Sequence, residues 1–476
     1  MIAGTLRDFL ALAERKGRLR RVPQPVDRLW EPGCLVKWVF QGLPMEQRFG
    51  LRFDQVAGSP FPLVTGALGA SLESYAQALG VAPADINEHW VRALLAPLPP
   101  VTVASAPCQE VVRQGDEVDL DLLPVPVWTP GRDPAPYITT CVVNRHADTG
   151  VQNMGVYRTR VRDSRSVIVN LAPGRQGHAC ARSYLDQGRP APIAWVIGAE
   201  PAVYLAAVAN LPMGVDEVTV AGGLKGAPVE LVRAKTSDLL VPASAEIIIE
   251  GEVLPGEMAP EGPFGESAGY MSEVELKPVA RITAITHRRD AIYYGLASQM
   301  PPSESTTLQS LSNAGLILKT LRHDHGESTV RDAWIDLMFG GGAAHIVISM
   351  RPTRPGHARE VGRLVARTTS LKRVTVVDED IDIRDRTDLD WAMSSHFDPV
   401  RDTEILTGFP ASMDHAVTPD AQGRKLGSKL VIDATRSLDT GPFSLPAANL
   451  MERALGTWTA AGWPGVHPRE RLRRTI

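Results

Sequence analysis

The segment Pro260-Glu261-Gly262-Pro263-Phe264-Gly265-Glu266 sets two carboxylates five residues apart across a Gly-Pro-Phe-Gly turn. That spacing is badly phased on a helix, but a tight loop can aim both side chains at one place. Two neighbouring acids do not both ionise freely, so one tends to keep its proton at neutral pH and can act as a general acid. The bland alternative is an acidic turn standing in solvent. A second cluster, Gln152-Asn153-Met154-Gly155-Val156-Tyr157-Arg158, lies between two apparent strands. Asn153 offers an amide oxygen to a hard cation, Gly155 permits close backbone approach, and Arg158 can fork onto a carboxylate. A surface arginine after a strand would look the same.

A third stretch, Asn170 to His178, is a Gly-rich basic turn able to present backbone N–H groups and a cation to a phosphate. It lacks both GxxxxGK[ST] and GxGxxG, so neither an ATPase loop nor a dinucleotide fingerprint is supported. Gly223-Leu224-Lys225-Gly226, Gly340-Gly341-Gly342 and Leu426-Gly427-Ser428-Lys429 are further candidate anion turns. His323-Asp324-His325 follows an expected helix end and reads as a charged, solvated cap rather than a metal site.

These residues need elements to hold them. Leu6, Phe9, Leu10 and Leu12 predict an opening helix, and Ala96-Pro97-Leu98-Pro99-Pro100 breaks the chain into an N-terminal α/β region over 1–105. Short β-type runs then follow, among them Tyr137 to Val143, Ser166 to Val169 and Ala245 to Glu250, closely punctuated by Gly, Pro and Asp. They predict a mostly antiparallel barrel or sandwich over 106–303. Leu308, Leu311, Leu316, Leu318 and Leu321 predict a linking helix over 304–325. Strand, helix and strand at Ala344 to Ser349, His357 to Ala366 and Arg373 to Val377 predict an α/β domain over 326–476.

The composition limits the partners. At 476 residues the chain has room for two or three domains and a large buried site. A net charge of -4, from 50 basic and 54 acidic residues, leaves no global footprint for nucleic acid or an anionic membrane. No apolar run approaches the roughly 18 residues of a membrane span. The start of the chain turns basic only after its apolar stretch, the reverse of a secretory signal. Cys34, Cys108, Cys141 and Cys180 show no paired spacing, so a reducing, cytoplasmic setting is expected.

Together, QNMGVYR at 152–158, MGVDE at 213–217, VPASAEIIIEGEV at 241–253 and APEGPFGESAGY at 259–270 resemble the UbiD family of decarboxylases in order and spacing. The resemblance runs from the opening helix to about Thr435. It implies a mixed α+β and α/β multidomain chain: an N-terminal α/β region, a central flavin-reductase-like split β-barrel, and a C-terminal α/β oligomerisation domain joined by a linking helix. It also implies a catalytic Arg and two acids, falling on Arg158, Glu261 and Glu266, and a prenylated FMN held by residues 153–158, Arg175, Gln176, His178, Glu217 and Lys429. A Mn²⁺ or Mg²⁺ would bridge the flavin phosphate to Asn153, His178 and Glu217. A potassium ion would lie on carbonyls near Ala206 to Asn210.

The implied reaction is reversible non-oxidative decarboxylation of an aromatic, heteroaromatic or α,β-unsaturated carboxylic acid. It would run through a covalent substrate–cofactor adduct, with Glu266 as proton donor. Loss of CO₂ from such an acid leaves an sp² carbanion, which is why a cofactor must act as electron sink. A flavin prenyltransferase would supply the cofactor, and a homodimer or larger homo-oligomer is implied. Met300, Pro301 and His396 are the expected substrate-pocket residues, His396 alternatively serving only to pack. Two competing readings use the same chain: an FMN-dependent split-barrel reductase, or a non-catalytic cofactor carrier. Neither needs Arg158, Glu261 and Glu266 together.

Overall fold

The structure is a computed structural model that describes residues 4–212, 214–337, 344–411, 414–436 and 443–465. Gly340 to Gly342, one of the expected anion turns, lies outside the described residues. The chain forms two compact units, one running to Leu316 and the other from Ile317, with a short return to the first around Leu337.

The first unit opens on the helix Leu6–Arg15. Its start is fixed because the Asp8 amide donates to the Thr5 hydroxyl while Thr5 N donates to the Asp8 carboxylate, so two end donors are satisfied reciprocally. The helix buries Leu6, Phe9, Leu10 and Ala13. Ala13, not Leu12, completes the inner face, as the three- and four-residue spacing of a helix requires. A four-stranded sheet follows, in the order Leu19–Val22, Gly50–Phe53, Leu63–Thr65 and Tyr293–Gly295. The helix Glu31–Gly42 packs closely on the 127–130 segment, since a Cβ at Gly33 would lie 2.6 Å from the Val127 carbonyl oxygen.

The central sheet has nine strands. Its spine is the antiparallel pair Ile247–Glu261 and Glu275–His287, far longer than the run Ala245 to Glu250 suggests. The β-branched Ile247, Ile248 and Ile249 are wholly buried, and Gly251 marks a register shift where a side chain would strike the Arg281 carbonyl. The expected strand at Tyr137 to Val143 is split into Tyr137–Ile138 and Cys141–Arg145.

The antiparallel character agrees with the sequence reading, but among the described residues the ladder stays open. It runs from Tyr137–Ile138 at one edge to Gln152–Val156 at the other. At the second edge the Met154 amide donates to the Glu217 carboxylate at 3.2 Å rather than to another strand.

The helix Glu304–Lys319 continues into a wide turn at Thr320–Asp324 and contains the point, Leu316 to Ile317, where the first unit ends. In the second unit, five strands run in the order Val330–Ile335, His345–Met350, Arg373–Asp378, Leu426–Ala434 and Thr403–Pro410. His345–Met350 and Arg373–Asp378 are parallel and joined by the helix His357–Thr368, the strand–helix–strand pattern expected.

Candidate active site

Arg158 stands two residues beyond the end of the edge strand Gln152–Val156, and its guanidinium is the hub of the site. Nε donates to Glu261 Oε1 at 2.9 Å and Nη2 to Glu261 Oε2 at 2.7 Å, a two-point fork. Nη1 donates to Glu266 Oε1, and Nη2 also reaches Ser272 Oγ at 3.2 Å. The Phe264 ring lies 5.2 Å from the guanidinium carbon, adding a cation–π contact. Side-chain exposure rises along the cluster: 0% for Glu261, 12% for Arg158 and 25% for Glu266. Glu261 is therefore the anchor, and Glu266 is the acid that something entering from outside can reach.

Burial opposes the charge on Arg158, but the fork to Glu261 and the attraction of Glu266 outweigh it and hold the guanidinium above its ordinary value. The carboxylates meet through a guanidinium that compensates both, which is a different electrostatic arrangement from a bare acid pair.

The turn geometry explains how both side chains converge. Glu261 is the last residue of its strand, and Gly262 follows with φ +95°, where a Cβ would also strike the Glu273 carbonyl at 2.6 Å. Only glycine serves there. The hairpin then closes through Glu266 N to Tyr270 O at 2.8 Å and Ser272 N to Phe264 O at 2.8 Å. Tyr137 supports it from outside, its hydroxyl accepting from Gly262 N at 3.3 Å and its ring 4.4 Å from that of Phe264.

A second polar group gathers at the other end of the same edge strand. Asn153 is buried and donates from Nδ2 to Asn144 Oδ1 at 3.0 Å, leaving its own carbonyl oxygen as the face suited to a cation. Asn144 in turn donates to the Gly177 carbonyl at 2.7 Å, tying the strand to the helix Gln176–Leu185. Glu217 begins the helix Glu217–Lys225. Burial pushes its carboxyl up to about 7 against the weaker help of its own and the Met154 amides. A buried carboxylate so raised is one that a neighbouring cation would stabilise.

Tyr157 fills the space between these pieces. A Cβ at Gly155 would meet its hydroxyl at 2.8 Å and one at Gly177 at 2.6 Å. The room at Gly155, expected to admit a ligand, is taken by this ring. Met154 is buried and Val156 half-buried on the same strand. Gln176 and His178 lie in the first turn of the helix Gln176–Leu185, half-buried, with Arg175 exposed just ahead of it. Burial and then the neighbouring Arg182 and Lys277 lower the His178 pKa, favouring the neutral, ligating form. Among the described residues no three His, Cys, Asp or Glu side chains gather as a metal site. Near Ala206 to Asn210 the helix Pro201–Val208 ends, and Asn210 N donates to Asn313 Oδ1 at 2.9 Å.

The remaining expected residues divide between the units. In the first, Pro301 is buried and Met300 exposed, and a Cβ at Gly269 would lie 2.8 Å from Met300 Sδ, so Met300 borders the Glu266 turn. In the second, Lys429 donates to the Ala366 carbonyl at 2.6 Å and to that of Thr369, and its ammonium sits 4.2 Å from the centre of the Phe409 ring. Those contacts account for Lys429 as a cap on the helix His357–Thr368. His396 ends the helix Arg386–Ser395, with its ring edge-on to Trp391 at 4.9 Å and its Nδ1 3.8 Å from the Asp378 carboxylate. Lys225 closes a helix and pairs with Glu200 at 2.9 Å, so Gly223 to Gly226 presents carbonyls and not an anion turn.

Sequence reasoning missed Ser272, Phe264, Tyr137 and Asn144. Asn144 had a signal, standing directly across the ladder from Asn153. It also missed Gln299, which is 3% exposed, has φ +75° and holds both amide atoms without a hydrogen-bond partner among the described residues. Its Cγ would lie 2.4 Å from a Cβ on Gly265, the residue before Glu266.

Comparison with known proteins adds three family models. The chain matches the N-terminal domain of 3-octaprenyl-4-hydroxybenzoate carboxy-lyase over 10–94, its Rift-related domain over 100–301 and its C-terminal domain over 306–434. Among solved structures, it is similar to the UbiD-class enzyme HmfF from Pelotomaculum thermopropionicum in complex with prFMN, an evolved dimeric form. Identity is 33% and the TM-score 0.80, covering 93% of this chain and 97% of that one. The vanillic acid decarboxylase of Sedimentibacter hydroxybenzoicus gives 25% identity and a TM-score of 0.84, over 96% and 99% of the two chains. The 3,4-dihydroxybenzoic acid decarboxylase of Enterobacter cloacae gives 28% and 0.82, over 95% and 99%.

Proposed function

Since the chain belongs to the UbiD family of carboxy-lyases, we propose that Arg158, Glu261 and Glu266 are its catalytic centre and that Glu266 delivers the proton that replaces CO₂. The protein is a prenylated-FMN-dependent decarboxylase. The observation that carries the residue roles is the buried fork of Arg158 on Glu261, with the more exposed Glu266 held by the same guanidinium.

When bound, the prenylated flavin supplies the electron sink that takes up the electron pair left by departing CO₂. The residues of the chain do the rest. Arg158, fixed by Glu261, presents its remaining nitrogen to the outer acid or to an incoming carboxylate, and exchanging one for the other frees Glu266 to carry a proton. The proton, taken up by Glu266 from water once it is released from Arg158, then passes from its carboxyl oxygen to the carbon that lost CO₂.

The donor set at the other end of the strand fits a divalent ion held partly by a phosphate. Asn153 and Glu217 offer oxygens, His178 a neutral imidazole, and the start of the helix Gln176–Leu185 offers amides to the phosphate, with Arg175 beside it. Mn²⁺ or Mg²⁺ suits such ligands. Carbonyls at the end of the helix Pro201–Val208 are the proposed seat of potassium. We read the open central sheet as a split barrel and the helix Glu304–Lys319 as the link between the two units. The unpartnered Gln299 amide favours substrates with a polar ring atom or substituent over plain hydrocarbon acids.

No helix among the described residues is long and apolar enough to cross a membrane. The cofactor would come from a flavin prenyltransferase, in the cytoplasm. Self-association is supported by the helix Ala448–Ala460, which buries none of its residues and exposes Leu450, Leu455 and Trp458.

The test of the residue roles is Glu266→Gln, which keeps the shape and removes the transferable proton. Turnover is expected to fall by at least about 100-fold with flavin content unchanged. Wild-type turnover in that variant would refute the assignment.

A further inference from the structure

The helix Glu31–Gly42 reaches the loop beside the active-site turn without contributing any of the catalytic groups. Lys37 and Gln41, one helical turn apart, lie on the same side of it. Lys37 Nζ donates to the Ser298 carbonyl at 2.5 Å. Gln41 Nε2 donates to the carbonyls of Met300 and Pro302, each at 3.0 Å. Two side chains thus hold three carbonyls of a five-residue loop, 298–302. Inside that loop Gln299 adopts a left-handed backbone that a non-glycine residue enters only when its surroundings impose it.

The loop is the wall of the turn that carries Glu266. Gln299 closes on Gly265 and Met300 on Gly269, at the 2.4 Å and 2.8 Å a Cβ would find at those positions. Gly265 precedes Glu266 in the chain, and Gly269 N donates to the Glu266 carbonyl at 2.9 Å. A shift of the loop therefore moves the backbone on both sides of Glu266. Lys37 is also an expensive group to place there. Burial pulls its ammonium down to about 8, opposed by the carboxylate of Asp133. An apolar side chain would fill the same space without that penalty, but it would leave the Ser298 carbonyl unheld.

We propose that Lys37 and Gln41 are positioning residues for the decarboxylation, clamping loop 298–302 against the Glu266 turn so that the N-terminal helix sets where the proton donor stands. The inference rests on the reading of Glu266 as proton donor, and its test separates the two.

Backbone amide exchange, followed by mass spectrometry, is measured on holoenzyme of the wild type, Lys37→Met and Gln41→Leu. Peptides covering 262–272 are expected to exchange on the order of threefold faster in both variants, with the rest of the chain and the flavin content unchanged. Turnover of an acid that the wild type decarboxylates should fall by on the order of tenfold in kcat with little change in KM. Lys37→Arg, which restores a donor, should recover part of both effects. Unchanged exchange in 262–272, or faster exchange spread evenly over the first unit, overturns the clamp. Gln41 is exposed, so Gln41→Leu gives the answer even if Lys37→Met does not fold. If exchange rises locally while Glu266→Gln retains full turnover, the clamp stands and the proton-donor reading falls.

Discussion

At the scale of single residues, the fork between Arg158 and Glu261 does two things. It fixes the guanidinium in a plane, and it commits two of its three nitrogens, so that one remains for chemistry. Glu217 has a comparable double role, closing the edge of the sheet through Met154 while presenting a buried carboxylate beside Asn153. Glu217→Ala should weaken flavin retention by about tenfold, read as the flavin-to-protein ratio after gel filtration. An unchanged ratio would remove Glu217 from the cofactor site. Arg158, Glu261 and Glu266 were singled out in the sequence only through the family motifs that carry them, since the spacing alone left an exposed acidic turn and a surface arginine open. Ser272 and Tyr137 were not, since a serine and a tyrosine in strand-like surroundings have many ordinary uses. Gln299 was hidden for a different reason: the loop it lies in is held by side chains more than 250 residues away in sequence, Lys37 and Gln41.

At the scale of elements, the cofactor end of the site is assembled by packing around Tyr157. Gly177→Ala would force a methyl into the space of the Tyr157 hydroxyl, overpacking the junction of strand and helix by about 1–3 kcal/mol. A lower melting temperature with reduced flavin content is expected. Adding Tyr157→Phe should restore part of both, and no recovery in the double variant would show that the clash lies elsewhere. Element types in the second unit were legible because buried parallel strands read as apolar runs, such as Ile346 to Ile348 before the helix His357–Thr368. The central sheet was legible in its antiparallel character but not in its closure. What lies at the edge of a ladder is set by distant residues, here a glutamate from a helix 63 residues further along the chain.

At the scale of the whole molecule, the first unit carries buried charge that makes its stability depend on pH. Burial pushes Asp133 up to about 6, against the hydrogen bond from Thr129 N at 2.7 Å. The folded chain therefore binds a proton there that the unfolded chain has already lost, between about pH 4 and 6. That contribution is fully present below about pH 4 and is lost as pH rises through 6, on the order of 3 kcal/mol. Asp133→Asn should flatten the stability profile across that window in denaturant titrations, whereas an unchanged slope would place the titration on another group. The central claim concerns the reaction itself, and its most direct test is CO₂ release from a panel of aryl, heteroaryl and dienoic acids. The protein is produced with and without a flavin prenyltransferase. The account predicts release from at least one acid, only when prenylated FMN is retained. Oxidation of NAD(P)H by protein holding plain FMN, with no CO₂ from any acid in either preparation, would contradict it.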